Sequence, residues 1–433
     1  MKHPLVAFYT LGCKLNFAET STIERLFEER GFQKVDFNSR ADVVIINTCM
    51  VTASAEKKCR NIISKASKNS PGAYIAVVGC YSQLKAGEIA KIPGVSIVLG
   101  AKEKFMIFDY INDFSKKDKV AVYVSEIADE SGFSSSYSVS GRTRSFLKIQ
   151  DGCDYFCSYC TIPLARGRSR SAPIEEILKQ AQKITEKGVK EVVLTGVNIG
   201  DFGKPGYGNL FQLLQELDKH TFVERFRISS VEPDLLTDEI INFVACNQKF
   251  APHFHLPMQA GCDRILKKMN RKYSCSFFSG RVDKIRKDIP LAGIGADVIT
   301  GFPGETDKDF QETVEFLTNA DINFLHVFSY SDRNNTKASE LTDKVSPEVK
   351  DRRSKILHRL SEDKLRLFQN KCMDQVHRVL FESFNRKGRM YGFTGNYIKV
   401  EVPYNESYIN QLTDVKLLGL GDDGIVKGLV IIN

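Results

Sequence analysis

Three times within the first hundred residues a short apolar run ends in a cysteine: VAFYTLG before Cys13, VVIINT before Cys49 and AYIAVVG before Cys80. Amphipathic stretches separate them. Asn16–Arg30, ended by Gly31, Ser54–Asn69 and Ser82–Lys91 read as helices, and a last apolar run, VSIVLG, closes the unit. Such alternation predicts a parallel, doubly wound α/β sheet. Its strands all end at one edge, where open α/β sheets bind ligands. Cysteines just past three strand ends therefore predict a cluster of three thiols. The alternative is three small buried residues, a common fate of unpaired cysteine.

A second alternation starts at Ser145. SFLKIQ, EVVLTGV, RFRISSV, HFHLPM, GIGADVIT and NFLHVFSY read as six strands, with helices such as Ile174–Lys187 and Thr306–Asn319 between them. They predict an open, partial (β/α)6 TIM-like barrel, in which function gathers at the C-terminal strand ends. Directly after the first strand stands DGCDYFCSYCTIPLARGRSRS, which spaces Cys153, Cys157 and Cys160 as C-x3-C-x2-C. A structural zinc takes four ligands. Three clustered thiolates suit a four-iron cube with one iron left for a small molecule. Zinc completed by a remote Cys or His, or three idle thiols, are the other readings the spacing allows.

The chain divides into residues 1–110 as the first α/β domain, 111–140 as a linker through SGFSSSYSVSG, 141–370 as the barrel, and 371–433 as a small all-β domain. A charged periodic helix, about Ser346–Cys372, leads out of the barrel. No apolar run approaches membrane-spanning length, so a cytoplasmic protein without membrane attachment is expected. Eleven cysteines in such a compartment favour metal ligation over disulfides. Cys59, Cys246, Cys262, Cys275 and Cys372 lack partners at ligand spacing and read as inert, although Cys59 and Cys262 stand in suggestive neighbourhoods.

Together, TLGCKLN, NTC, VVGC, DGCDYFCSYC and YGFTGNYIKVEV resemble the methylthiotransferases of the radical S-adenosylmethionine superfamily. The last segment resembles the TRAM domain, a small tRNA-binding β-barrel. TLGCKLN and IPLARGRSRS are most similar to the MtaB-type branch, which converts N6-threonylcarbamoyladenosine beside the anticodon to its 2-methylthio derivative. Sister branches act on isopentenyladenosine or on a ribosomal-protein aspartate. Outside the family, a non-catalytic zinc-holding RNA-binding protein is the competing class.

The resemblance implies two [4Fe-4S] clusters. Cys153, Cys157 and Cys160 would carry the radical cluster, whose open iron chelates S-adenosylmethionine. Cys13, Cys49 and Cys80 would carry an auxiliary cluster holding the sulfur to be transferred. An adenine ring carbon offers neither an acidic proton nor a leaving group, so cofactor chemistry must do the hard step. Strand-end residues are the candidate cofactor cradle: Thr195 and Gly196, Ser229, Ser230 and Glu232, Gln259, and Asp297 and Gly301, with Tyr159 shielding the cluster. His253 and His255 alternate on one strand and are expected to pack in the barrel or meet substrate. An electron donor such as flavodoxin or ferredoxin is implied, and nothing in the sequence demands more than a monomer.

Net charge is +8, but its placement says more. Ser54–Asn69 and Gly141–Ser171, the latter including Arg142, Arg144 and Lys148, each net +4. Two basic patches beside cysteine motifs point to a polyanion. Lys57, Lys58, Arg60, Arg166, Arg168 and Arg170 are expected on the phosphates of a tRNA anticodon loop, whose unpaired bases proteins read by stacking and edge contacts. Arg386, Lys387 and Arg389 form an RKGR cluster in the all-β domain, where eight basic and seven acidic residues otherwise nearly cancel.

Overall fold

The computed structural model describes residues 3–50, 53–111, 113–115, 119–128, 130–139 and 143–431; Arg142 of the second basic patch lies outside them. The first sheet has β1 (Leu5–Thr10), β2 (Gln33–Val35), β3 (Val43–Thr48), β4 (Tyr74–Gly79), β5 (Val95–Leu99) and β6 (Ala121–Tyr123). They run parallel in the order β2-β1-β3-β4-β5-β6. Every residue of β3 and β4 is buried, because helices cover both faces of the sheet. α1 (Lys14–Glu28) seals one face with Ile23 and Phe27. α2 (Ala53–Asn69) and α3 (Cys80–Ile89) seal the other, through Cys59, Ile63 and Ile89.

The segment 111–140, expected as a linker, carries two short strands among its described residues. It supplies β6 to this sheet and β7 (Ser136–Tyr137) antiparallel to β8 (Arg144–Lys148), the first barrel strand. Strands of three and two residues are too short to show an alternation in sequence. β8 leads into β9 (Gln150–Asp151), which pairs with β10 (Arg170–Ser171) and so brackets the cysteine loop. β11 (Glu191–Thr195) and β12 (Arg225–Ile228) continue the sheet from β8; β13 (His253–Gln259), β14 (Gly293–Thr300) and β15 (Phe324–Ser329) form a second parallel sheet. Isolated bridges, Phe226 with Phe250 and Ser230 with His255, join the two sheets. The six parallel strands therefore make an open barrel, and the helix Pro347–Lys371 packs beside β15.

Side-chain alternation sorts these strands into two faces. Leu147, Val192, Leu194, Phe226, Leu256 and Val298 pack outward into the main core. The residues between them turn to the lumen, where α1 also reaches: Phe17 and Ala18 pack on Phe146 and Val193.

The C-terminal residues close a five-stranded barrel of β16 (Val376–Phe381), β17 (Arg389–Thr394), β18 (Lys399–Pro403), β19 (Leu412–Leu420) and β20 (Val426–Val430), in the order β16-β17-β18-β20-β19. It docks on the N-terminal strand ends, opposite the cysteine loop. Arg225 donates to the Phe393 carbonyl at 3.2 Å, Arg227 to that of Gly395 at 2.7 Å, and Asn396 to that of Leu291 at 3.0 Å. The Tyr397 ring lies 4.8 Å from His253. Both arginines are held by buried Glu191, at 2.5 and 2.9 Å.

Candidate active site

Cys13 caps the start of α1, Cys49 follows β3, and Cys80 opens α3. Parallel pairing sets all three at one sheet edge. Gly12 explains how closely they approach. Its φ is +99°, and a Cβ there would stand 2.6 Å from Cys49 Cβ and 2.7 Å from its sulfur. Cys13 and Cys80 lie within electrostatic reach of one another and of Arg166, whose Nε donates to Cys80 Sγ at 3.3 Å. Burial pushes the Cys13 thiol up, and Arg166 draws it back only in part.

The second trio lies on the loop after β9. Gly152, at φ +70°, precedes Cys153 as Gly12 precedes Cys13, and a Cβ there would meet the Arg168 carbonyl at 1.9 Å. The Cys160 amide donates to the Cys157 carbonyl at 3.0 Å, a turn that gathers the loop. Burial pushes Cys153 and Cys160 up to about 12. Arg271 donates to Cys157 Sγ at 3.1 Å and is ion-paired with Glu232. Burial raises the Glu232 carboxyl to about 7 although Arg271 opposes it.

Arg166 corrects the sequence reading. It is 2% exposed, with its guanidinium turned into the protein rather than presented to a polyanion. It bonds to Glu19 at 2.9 Å, Asp151 at 3.0 Å and Asn16 at 2.8 Å besides Cys80. Arg170 is also buried, at 3.4 Å from Asp151. Lys104 and Lys148 complete the network on Glu19, at 2.6 and 3.1 Å. Burial by itself would raise Glu19 and Asp151, yet these cations hold both well below the usual carboxylate range. Both arginines were misread because sequence displays charge without its partners. Glu19 stands 147 positions from Arg166.

The expected cradle residues line the C-terminal strand ends. Thr195 and Ser229 are buried, and Gly196 lies against Gln150, where a Cβ would meet Oε1 at 2.8 Å. Ser230 Oγ bonds His255 Nδ1 at 2.6 Å, and His255 Nε2 lies 3.1 Å from Asp297 and from His326. Burial alone would raise Asp297, but the two histidines keep it ionised far below the usual range. Gln259 (φ +72°) and Gly301 end β13 and β14. Tyr159 packs beside the cluster of Ala260, Cys262 and Phe302. His253 does pack, between Phe324 and Tyr397. Sequence reasoning missed Arg271, His326 and Asn198. Asn198 is buried with neither side-chain amide atom bonded, and no spacing advertises it. Cys59 and Cys262 are buried thiols, bonded to the Cys49 carbonyl and to Asp309, each at 3.4 Å, and burial pushes both to about 11.

Residues 5–100 match the family model "Uncharacterized protein family UPF0004", and residues 147–317 match "Radical SAM superfamily". The chain is 39% identical to threonylcarbamoyladenosine tRNA methylthiotransferase MtaB of Bacillus subtilis (strain 168), over 96% of this chain and 94% of that one. It is 38% identical to MtaB of Aquifex aeolicus (strain VF5), over 92% and 96%. It belongs to the radical S-adenosylmethionine methylthiotransferases. The tRNA-2-methylthio-N(6)-dimethylallyladenosine synthase of Methylacidiphilum infernorum (isolate V4) is 32% identical, over 96% and 92%. In fold the chain is similar to the radical S-adenosylmethionine methyltransferase TsrM of Kitasatospora setae, with TM-score 0.56, 14% identity and 78% and 77% coverage.

The matched families imply iron–sulfur clusters, and the two trios of unpaired cysteine thiols are a donor set that would hold them. The network beside Cys80 sets Lys104, Lys148, Arg166 and Arg170 against two carboxylates, a buried excess of cations that suits an anionic, thiolate-bound cluster. The unbonded amide of Asn198 suits a polar small molecule at the strand ends.

Of the basic residues, Lys57, Lys58 and Arg60 are exposed on α2, and Arg168 projects over Phe156 at 4.8 Å. Arg386 and Lys387 stand exposed at the β16–β17 hairpin, with Arg389 half-buried.

Proposed function

We propose that this methylthiotransferase adds a methylthio group to carbon 2 of N6-threonylcarbamoyladenosine beside the anticodon of tRNA. Cys153, Cys157 and Cys160 would hold the radical cluster, Cys13, Cys49 and Cys80 the auxiliary one. When bound, these clusters and S-adenosylmethionine supply the radical chemistry and the sulfur that no side chain offers.

One observation carries the reading. Arg166 lies six residues beyond Cys160, yet bonds to Cys80 of the other trio. This bond tethers the segment after one trio to a cysteine of the other, which supports a shared site such as transfer between two clusters needs. Arg271 and Arg166 each steady one cysteine sulfur, and Asn198, Ser229, Thr195 and Glu232 offer polar contacts to S-adenosylmethionine. Exposed Lys57, Lys58, Arg60, Arg168 and the Arg386–Arg389 hairpin are the candidate phosphate contacts. The likeness to the two MtaB proteins favours the threonylcarbamoyl substrate.

Nucleoside mass spectrometry of tRNA from a deletion strain tests it. The 2-methylthio-threonylcarbamoyl nucleoside should vanish and its precursor accumulate. If it persists undiminished, or if the 2-methylthio-isopentenyl nucleoside vanishes instead, the substrate is another.

A further inference from the structure

His255 on β13, Asp297 on β14 and His326 on β15 stand on neighbouring parallel strands. Strand alternation turns all three to the lumen, because Leu256, Val298 and Leu325 beside them pack into the core. Asp297 and His326 are direct cross-strand partners. Their facing atoms make a nearly equilateral triangle. His255 Nε2 is 3.1 Å from Asp297 Oδ1 and 3.1 Å from His326 Nδ1, and His326 Nδ1 is 3.2 Å from the same Oδ1. Hydrogen bonds cannot satisfy three such edges. A carboxylate oxygen only accepts, and each nitrogen of a neutral imidazole carries either one proton or one lone pair. Whatever the tautomers, two protons or two lone pairs oppose each other across one edge.

A cation at the centre uses all three lone pairs at once. With metal–ligand bonds of about 2.1 Å, ligands stand about 3.0 Å apart on one face of an octahedron and about 3.4 Å apart in a tetrahedron. The triangle falls between the two. Ser230 Oγ, 2.6 Å from His255 Nδ1, can accept that nitrogen's proton and leave Nε2 its lone pair, the outer contact that metal-bound histidines use. The side chains of His255, Asp297 and His326 are 12%, 21% and 52% exposed, so protein backs the triangle at His255 and leaves it open at His326. Among the described residues one other group brings three ligand atoms within 4.8 Å: Cys262, Asp309 and Glu312. There Arg264 already neutralises Asp309, its Nε at 2.7 Å. We propose that His255, Asp297 and His326 form a binding site for a divalent transition-metal cation, built from none of the six cysteines, with its remaining positions open to water or another oxygen donor. Two imidazoles and one carboxylate suit zinc or a neighbouring first-row ion rather than magnesium or calcium. The inference holds whichever N6 group the tRNA carries.

The test uses holoenzyme with its clusters reconstituted, equilibrated by dialysis against micromolar zinc chloride. Zinc is a fair probe, because such ligands bind it more tightly than ferrous iron. Mass spectrometry counts the metal, and X-ray absorption at the zinc edge reads its neighbours without interference from cluster iron. About one zinc per chain is expected, with nitrogen and oxygen neighbours at about 2.0–2.1 Å and none at the sulfur distance of about 2.3 Å. His326→Ala and Asp297→Asn should each weaken zinc binding at least about a hundredfold, and Ser230→Ala about ten- to hundredfold, with iron content as in wild type. His326 is half exposed and Asp297→Asn keeps the side chain's shape, so the two changes spare the core. No zinc in wild type, zinc held through sulfur, or zinc retained by both ligand variants overturns the site. So does iron lost from either variant, which would tie these residues to the clusters instead.

Discussion

Cys13 and Cys153 each follow a glycine in the left-handed region, and each trio has a buried arginine bonded to one of its sulfurs. The surroundings of the two arginines differ. Arg166 sits among three other cations and two carboxylates that these cations hold well below their usual range, so the network beside Cys80 carries an excess of positive charge. Arg271 faces one carboxylate, Glu232, whose proton comes and goes near pH 7. On the proposed assignment, a sulfur-holding site has reason to keep its charge constant, and a site that takes up an electron and a small molecule can use an adjustable one. The contrast teaches that similar cysteine frames can carry different electrostatics.

The hardest blow to this comparison comes from the cysteines. Cys80→Ala and Cys153→Ala should each lose about four of about eight irons per chain and all methylthiolation. Anaerobic iron and sulfide quantitation checks the first, and nucleoside analysis the second. A variant that loses all its iron would show the sites to be one unit.

Next come the arginines. Arg166→Met leaves buried charges uncompensated and should cost about 3–5 kcal/mol in chemical denaturation, with poor filling of the site beside Cys80. Arg271→Met should cost less, about 1–3 kcal/mol, because Glu232 can take a proton once its partner is gone. Equal losses would erase the distinction.

Acidity sharpens it further. Burial raises Glu232 from 4.5 to about 7 on folding. Its contribution to stability is therefore whole below pH 4.5 and is lost as pH climbs through 7. Urea melts of cluster-free protein should show roughly 3 kcal/mol of decline across that window, absent in Glu232→Gln. Glu19 and Asp151, shifted the other way, keep their contribution above about pH 5 and lose it progressively below, so they add no slope between about pH 5 and 7.

The smallest effect belongs to the exposed member of the arginine run. Arg168→Ala should weaken tRNA binding about threefold and lower the salt slope by about one, measured by anisotropy across salt concentrations.

Cys13, Cys49 and Cys80 stood out in the sequence because each comes just past a strand, and strand direction fixes where the next residues land; Cys153, Cys157 and Cys160 stood out by their C-x3-C-x2-C spacing. Lys148, a cation inside the strand SFLKIQ, was a sign of an ionic lumen. Arg271 gave none, standing 114 positions from Cys157 in a segment without pattern. β6 and β7 escaped because two or three residues cannot display a period. Arg166 and Arg170 were read as surface charge because the carboxylates that bury them lie on other elements.

The turn Gly395–Tyr397 presses on the rims of β12, β13 and β14, close enough that a Cβ on Gly293 would strike the Asn396 carbonyl at 2.2 Å. With the C-terminal barrel seated on those rims, that end of β12–β14 is covered, and a group that reaches the opposite, cysteine-bearing ends of these strands approaches from the other side.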